Sequence, residues 1–182
     1  MAETVRKPLL DYLALLIAFC ALGYTIYQGY LNRDYLRRSN RPHMTASFFF
    51  NEEGSGFYFG NSGVGQAHLV WFQILVDGNP QQNWPTMLRS LGFPVQPAFA
   101  GVRPGARWKP DSWKKIFWFD PGSADQMLRE RHSRVELRAC YCSIFEEFWL
   151  GGYRGEPSPI ESCTPKPEIR YGGERSRPSA NG

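Results

Sequence analysis

The chain has 182 residues, with 21 Lys and Arg against 17 Asp and Glu, for a formal net charge of +4. The excess is mild and clustered beside one apolar segment, so it lays down no phosphate-tracking footprint. No nucleic-acid-binding motif accompanies it, and a nucleic-acid partner is set aside. Thirteen Phe, nine Tyr and six Trp argue for a packed core and against a disordered chain.

Residues 1–8 read as a short N-terminal tail. The stretch 9–31 is LLDYLALLIAFCALGYTIYQGYL, uncharged from Tyr12 to Tyr27. At about 1.5 Å per residue, its 23 residues cross a hydrocarbon core of about 30 Å. Tyr12 at one end, and Tyr24, Tyr27 and Tyr30 at the other, suit the two membrane interfaces. The run is long for a cleaved signal, and no small-x-small cleavage site follows it. We expect a retained single span in the cell inner membrane, with the lipid bilayer as its first partner.

Residues 32–43 form a basic juxtamembrane linker. Arg33, Arg37, Arg38 and Arg41 are a topogenic or headgroup-binding cluster. The positive-inside rule tips the soluble domain toward the cytoplasm. The frequency of bacterial N-terminal anchors carrying an outward β domain pulls the other way.

The domain spans 44–152. MTASFFFN, from Met44 to Asn51, reads as a strand, EEGSG as a turn, and Phe57 to Phe59 as the start of the return strand. GNSGVG, 60–65, lacks the lysine and strand-to-helix setting of a phosphate loop. It reads as a glycine corner, where chains approach closely or φ is positive. His68 to Asp77, HLVWFQILVD, is apolar on both faces, as a central strand is. Its alternation places Val70, Phe72, Ile74 and Val76 on one side and Leu69, Trp71, Gln73 and Leu75 on the other.

Gly78, Asn79 and Pro80 end that strand, and Gln81 to Pro110 is irregular, with one helical turn expected at Thr86–Leu91. Trp113 to Phe119 reads as a strand with Trp113, Lys115, Phe117 and Phe119 sharing a face. Ser123 with Gln126 fits a capping box for a helix over Ala124–Arg131. Val135 to Phe145, VELRACYCSIF, is the last long strand. Residues 153–182, rich in Pro, Gly, Ser and charge, read as a mostly disordered tail.

The expected fold is therefore mainly β: an N-terminal transmembrane helix followed by a small immunoglobulin-like β-sandwich. A partly open barrel is the alternative.

Among candidate chemistry, Cys140 and Cys142 stand out. At a spacing of two in a strand they face the same side, with Cα atoms about 6.5–7 Å apart, at or beyond disulfide reach of each other. They read as small buried hydrophobes, as a soft-metal pair for Cu(I), or as one thiol bonded to Cys163. His43, His68 and His132 are scattered and make no zinc spacing. Trp71, Trp113, Trp118 and Trp149 read as core or interface anchors. No cofactor motif and no complete catalytic constellation is present.

The stretch 61–77, NSGVGQAHLVWFQILVD, resembles small bacterial single-span proteins of unknown function. Those carry an Asn-x-Gly-x-Gly-Pro-Ala corner, with Gln66 here in place of the proline. Tyr141 to Phe145 and Trp149 resemble their closing strand. The span followed by a Cys-x-Cys strand is also similar to the copper-delivery assembly factor of cytochrome oxidase. That likeness implies Cys140 and Cys142 as copper ligands, with Ser143 where that family has an aromatic. The functional expectation is a non-enzymatic, membrane-anchored interaction module, an accessory subunit that binds other membrane proteins. A copper-binding assembly factor is the alternative, and a membrane-associated enzyme the further one.

Overall fold

The computed structural model describes residues 2–94, 97–153, 155–164 and 167–168. The chain divides into two compact units, with the boundary between Ser39 and Asn40.

The first unit is one helix, α1 (Ala2–Ser39). Its stretch Tyr12–Ser39 is long and apolar enough to cross a membrane, with mean hydropathy 1.4 over its best window. Leu13, Leu16, Phe19, Leu22 and Ile26 are exposed on it. Tyr12, Tyr27 and Tyr30 are exposed, as are Arg33, Arg38 and Arg41, while Arg37 is half-buried. The basic linker is helical through Ser39. Asp34 and Arg38, four residues apart and 2.9 Å from each other, support that extra length.

The second unit holds nine strands among the described residues. β1 (Met44–Asn51), β2 (Gly54–Asn61) and β6 (Ser112–Phe119) form one antiparallel half. β3 (Ala67–Val76), β7 (Val135–Cys142) and β8 (Phe148–Gly152) form the other, with β4 (Asn79–Gln81), β5 (Arg107–Trp108) and β9 (Ser158–Ile160) added at its margins. A single parallel contact, Thr45 to Gly152, joins the halves into one curled sheet ordered β4-β3-β7-β8-β1-β2-β6. The curl brings non-neighbouring strands face to face. Phe59 of β2 meets Phe72 of β3 at 5.0 Å between ring centroids. Trp84 and Leu88 of α2 (Trp84–Ser90) and Leu128 of α3 (Ser123–Arg131) fill the same core.

Two β-bulges reset the alternation read from the sequence. β7 pairs through Tyr141 with Leu69 and through Cys140 with Trp71, so Val70 is an extra residue. Leu69 therefore joins Phe72, Ile74 and Val76 in the main core, while Val70 and Trp71 pack in a second cluster. In β6 the extra residue is Ile116, between Phe117 opposite Phe57 and Lys115 opposite Tyr58. Trp113 and Lys115 thus leave the face of Phe117 and Phe119 and share that of Trp118.

Local chemistry sets the turns and the helix starts. The first hairpin closes from Asn51 to Gly54, so its loop is only Glu52-Glu53, and Glu53 N–H donates to Asn51 Oδ1 at 2.9 Å. Asp77 and Gly78 both take positive φ, 50° and 79°, giving the tight I′-like turn of the β3–β4 hairpin. The capping box lies at Asn83 and Thr86 on α2, while α3 starts from Gly122 with no side-chain cap. The last long strand stops at Cys142, and Phe148 to Gly152 is a strand of its own.

Asp125 and Arg129 lock α3 to the first hairpin. Arg129 Nε lies 3.0 and 3.1 Å from the Asp125 carboxylate oxygens, and its Nη2 donates to Asn51 O at 2.6 Å. Burial pushes the Asp125 carboxyl up, but hydrogen bonds from Arg129 and Ser55 and the guanidinium charge leave it below its ordinary 3.8. A carboxyl lowered by folding contributes stability that is present above its unfolded pKa and is lost as pH falls through the folded one. Acid titration of the full chain is expected to show this contribution fading below pH 4. Asp125→Asn should flatten that part of the profile. An unchanged acid limb would contradict the lock.

Candidate functional site

The end of the domain nearest Asn40 holds a network of buried polar contacts. Its organiser is Asn61, fully buried at the end of β2. Its Oδ1 accepts from His43 N–H at 2.9 Å and Gly63 N–H at 3.1 Å. Its Nδ2 donates to Gly65 O at 2.7 Å, with Lys109 O at 3.1 Å and Trp108 O at 3.4 Å. One side chain thereby ties the segment ahead of β1, the glycine corner and the loop after β5 together. The glycines serve close approach: a Cβ on Gly65 would lie 1.8 Å from Asn40 O, and one on Gly63 would lie 2.5 Å from Arg41 O. This is the corner read from the sequence, of the close-approach kind.

Beside the corner lies a cavity of about 350 Å³ lined by Gln66, His68, Arg107, Cys142, Ser143 and Glu146, together with Ile144. His68 and Cys142 are register partners across β3 and β7, and His68 Nδ1 stands 3.9 Å from Cys142 Sγ. Cys142 is 9% exposed. Burial, with the Glu146 carboxylate adding to it, pushes that thiol up from its ordinary value. That is the opposite of the electropositive setting that activates a nucleophilic cysteine.

Cys140 and Cys142 do not act as a pair. Cys140 is bonded to Cys163, with Cα atoms 5.7 Å apart, so only Cys142 of the two keeps a thiol. A Cu(I) site built from both sulfurs is therefore ruled out in this state. The bond also corrects the reading of the tail: β9 pairs with β8, and Trp71 Nε1 donates to Cys163 O at 3.0 Å. Residues 158–163 form a strap over Trp71 and Cys140, with Ile160 packed against them. The remainder of that expectation, residues 169–182, lies outside the described residues.

The other candidates serve structure. His132 stacks on Phe48 at 4.2 Å, and His43 Nε2 lies 3.9 Å from Glu156. Trp149 is buried and stacked on Tyr141. Burial pushes the Tyr141 hydroxyl up to about 12, with the Met44 backbone opposing it.

Trp113 and Trp118 lie on the outer face of the β1–β2–β6 half. A Cβ on Gly56 would meet the Trp118 ring at 2.9 Å, and one on Gly60 the Trp113 ring at 2.7 Å. Each indole thus covers a strand glycine, a device that compensates for the missing side chain. Phe49 packs edge-on to Tyr58 at 5.2 Å, and Lys115 Nζ sits 4.7 Å from the Trp118 ring. Phe49 is 50% exposed and Trp113 41%.

The sequence reading missed the His68–Cys142 contact, because it depends on the bulge at Val70. It also missed Asn61, whose signal is an asparagine at the head of a glycine-rich corner. Against this geometry, no family model, no curated protein and no solved structure matches the chain.

Proposed function

We propose that this chain is a membrane-anchored, non-enzymatic interaction module, an accessory subunit of a larger membrane complex. The observation that carries it is the aromatic outer face of β1, β2 and β6. Phe49 packs on Tyr58, Tyr58 on Trp118 and Lys115 on Trp118, with Trp113 on the same face, and Phe49 and Trp113 are open to solvent. Aromatic residues ringed by charge are the composition of a protein-binding patch. Lys115 calls for an apolar partner surface with an acidic group at its edge, on a protein in the same membrane.

We read the curled sheet as a divergent immunoglobulin-like sandwich. Its grouping of β1, β2 and β6 against β3, β7 and β8 supports this, since it follows the A-B-E and C-F-G arrangement of that fold. We also place the domain on the oxidising side of the cell inner membrane, reversing the side favoured by the arginine count. The Cys140–Cys163 bond supports that placement.

Cross-linking in native membranes, followed by mild detergent extraction, tests the interaction reading. The full chain is expected in a specific adduct with another membrane protein. Phe49→Asp and Lys115→Glu should each reduce that adduct at least about tenfold while leaving the fold intact. A monomer indifferent to both substitutions would overturn the reading.

A further inference from the structure

We propose that the cavity between the glycine corner and the β7–β8 turn binds a zinc-class divalent cation, with Cys142 and His68 as fixed ligands and Glu146 as a third that swings in. The proposal does not depend on the interaction reading. It concerns a different surface.

Distance supports the fixed pair. With Zn–S near 2.3 Å and Zn–N near 2.0–2.1 Å, one ion holds such atoms about 3.5 Å apart at a tetrahedral angle and about 4.4 Å apart in line. The observed 3.9 Å lies between these limits. Sγ and Nδ1 can therefore share an ion with a shift of less than about 0.5 Å. Both side chains project from register partners in the β3–β7 ladder, so backbone pairing sets their separation before any ion arrives.

Glu146 supplies the mobile part. It is exposed, lines the same cavity, and belongs to the turn in which Ser143 N–H donates to Glu147 O at 2.9 Å. Its φ is 59°, a conformation in which a non-glycine residue costs about 1–3 kcal/mol. A glycine would relieve that strain; the residue present instead carries a carboxylate that lines the same cavity as the thiol and the imidazole. Among the described residues, no three such side chains already stand at ligand spacing, so Glu146 must rotate inward. Arg107, the register partner of His68 on β5, is the one adverse charge among the lining residues. When the ion binds, a metal–sulfur bond forms and the thiol proton leaves to solvent. Three protein ligands leave a fourth position for water, the pattern of an open zinc site.

The test uses the full chain in detergent, without reductant, so that Cys140 and Cys163 stay bonded. Cobalt(II) is added as the probe and then displaced by zinc(II). The expected result is one ion per chain and a thiolate-to-cobalt charge-transfer band. Cys142→Ser should abolish the band and weaken zinc binding by more than about a hundredfold, and His68→Gln and Glu146→Gln by about tenfold each. Arg107→Gln should tighten it. Because His68 is exposed, His68→Gln serves if Cys142→Ser does not fold. Absence of the charge-transfer band, or a cobalt spectrum and zinc affinity unchanged by His68→Gln, would overturn the site.

Discussion

Replacing Asn61 with alanine is expected to destabilise the domain by about 3–5 kcal/mol, among the largest effects of any single polar substitution. The side chain is fully buried and satisfies backbone groups from three separate segments. Alanine leaves the N–H groups of His43 and Gly63 and the carbonyls of Gly65 and Lys109 to find new partners. Each buried group left unpaired costs about 1–3 kcal/mol, and partial relaxation keeps the total below their sum. Against a whole-domain stability of about 5–15 kcal/mol, that is a large share. Thermal or denaturant unfolding should show it, with Tm lowered by about 10–20 °C. Asn61→Asp keeps the acceptor toward His43 and Gly63 but turns a carboxylate toward the carbonyls, so it should be no milder. Gly65→Ala strains the same corner, since its Cβ would collide with Asn40 O. The two losses should therefore add to less than their sum. The exposed Asn79→Ala should stay within about 0.5 kcal/mol of the unchanged protein. A loss at Asn61 no larger than that would mean the corner is not the junction described above.

The parts of the fold legible in the sequence were those fixed by local periodicity and composition. Three consecutive phenylalanines, the two-faced apolar run around Phe72 and the alternation from Val135 to Ala139 each encode a strand in its own residues. The Leu9–Leu31 run likewise reads as a spanning helix without reference to anything else. What stayed hidden depends on pairing. A bulge at Val70 or Ile116 leaves no mark in composition, yet it moves Leu69 into the core and Trp113 out of it. The Cys163 partner was one of three possibilities because cysteine connectivity cannot be deduced from spacing. The tail looked disordered because Pro, Gly and Ser dominate it. A short strand and a covalent bond hold six of its residues despite that composition. The candidate cavity was illegible for the same reason: His68 and Cys142 are 74 positions apart and meet only through the shifted register.

Removing the Cys140–Cys163 bond is the second change with a large expected effect, and it bears on where the domain resides. The cross-link spans 23 positions, and chain entropy assigns a loop of that size about 3 kcal/mol of stabilisation. Cys163→Ala should cost about that much in denaturant unfolding. The loss should be graded through the structure. β9 pairs over only three residues, so its amides should lose protection first, while β3 and β7, buried in the main core, hold theirs. Trp71 should become more solvent-exposed, because its indole donates to the Cys163 carbonyl and packs on the Cys140 sulfur in the smaller cluster. The same bond supports the proposed placement of the domain on the oxidising side. The arginines after the span favour a cytoplasmic domain. A structural disulfide persists on the oxidising side and is rare on the reducing one. Rapid alkylation of intact cells, followed by peptide mapping, should therefore recover Cys140 and Cys163 joined, with Cys142 alkylated once the protein is unfolded. Recovery of all three as alkylated thiols would place the domain in the reducing compartment and return the topology to the side that the arginine count favours.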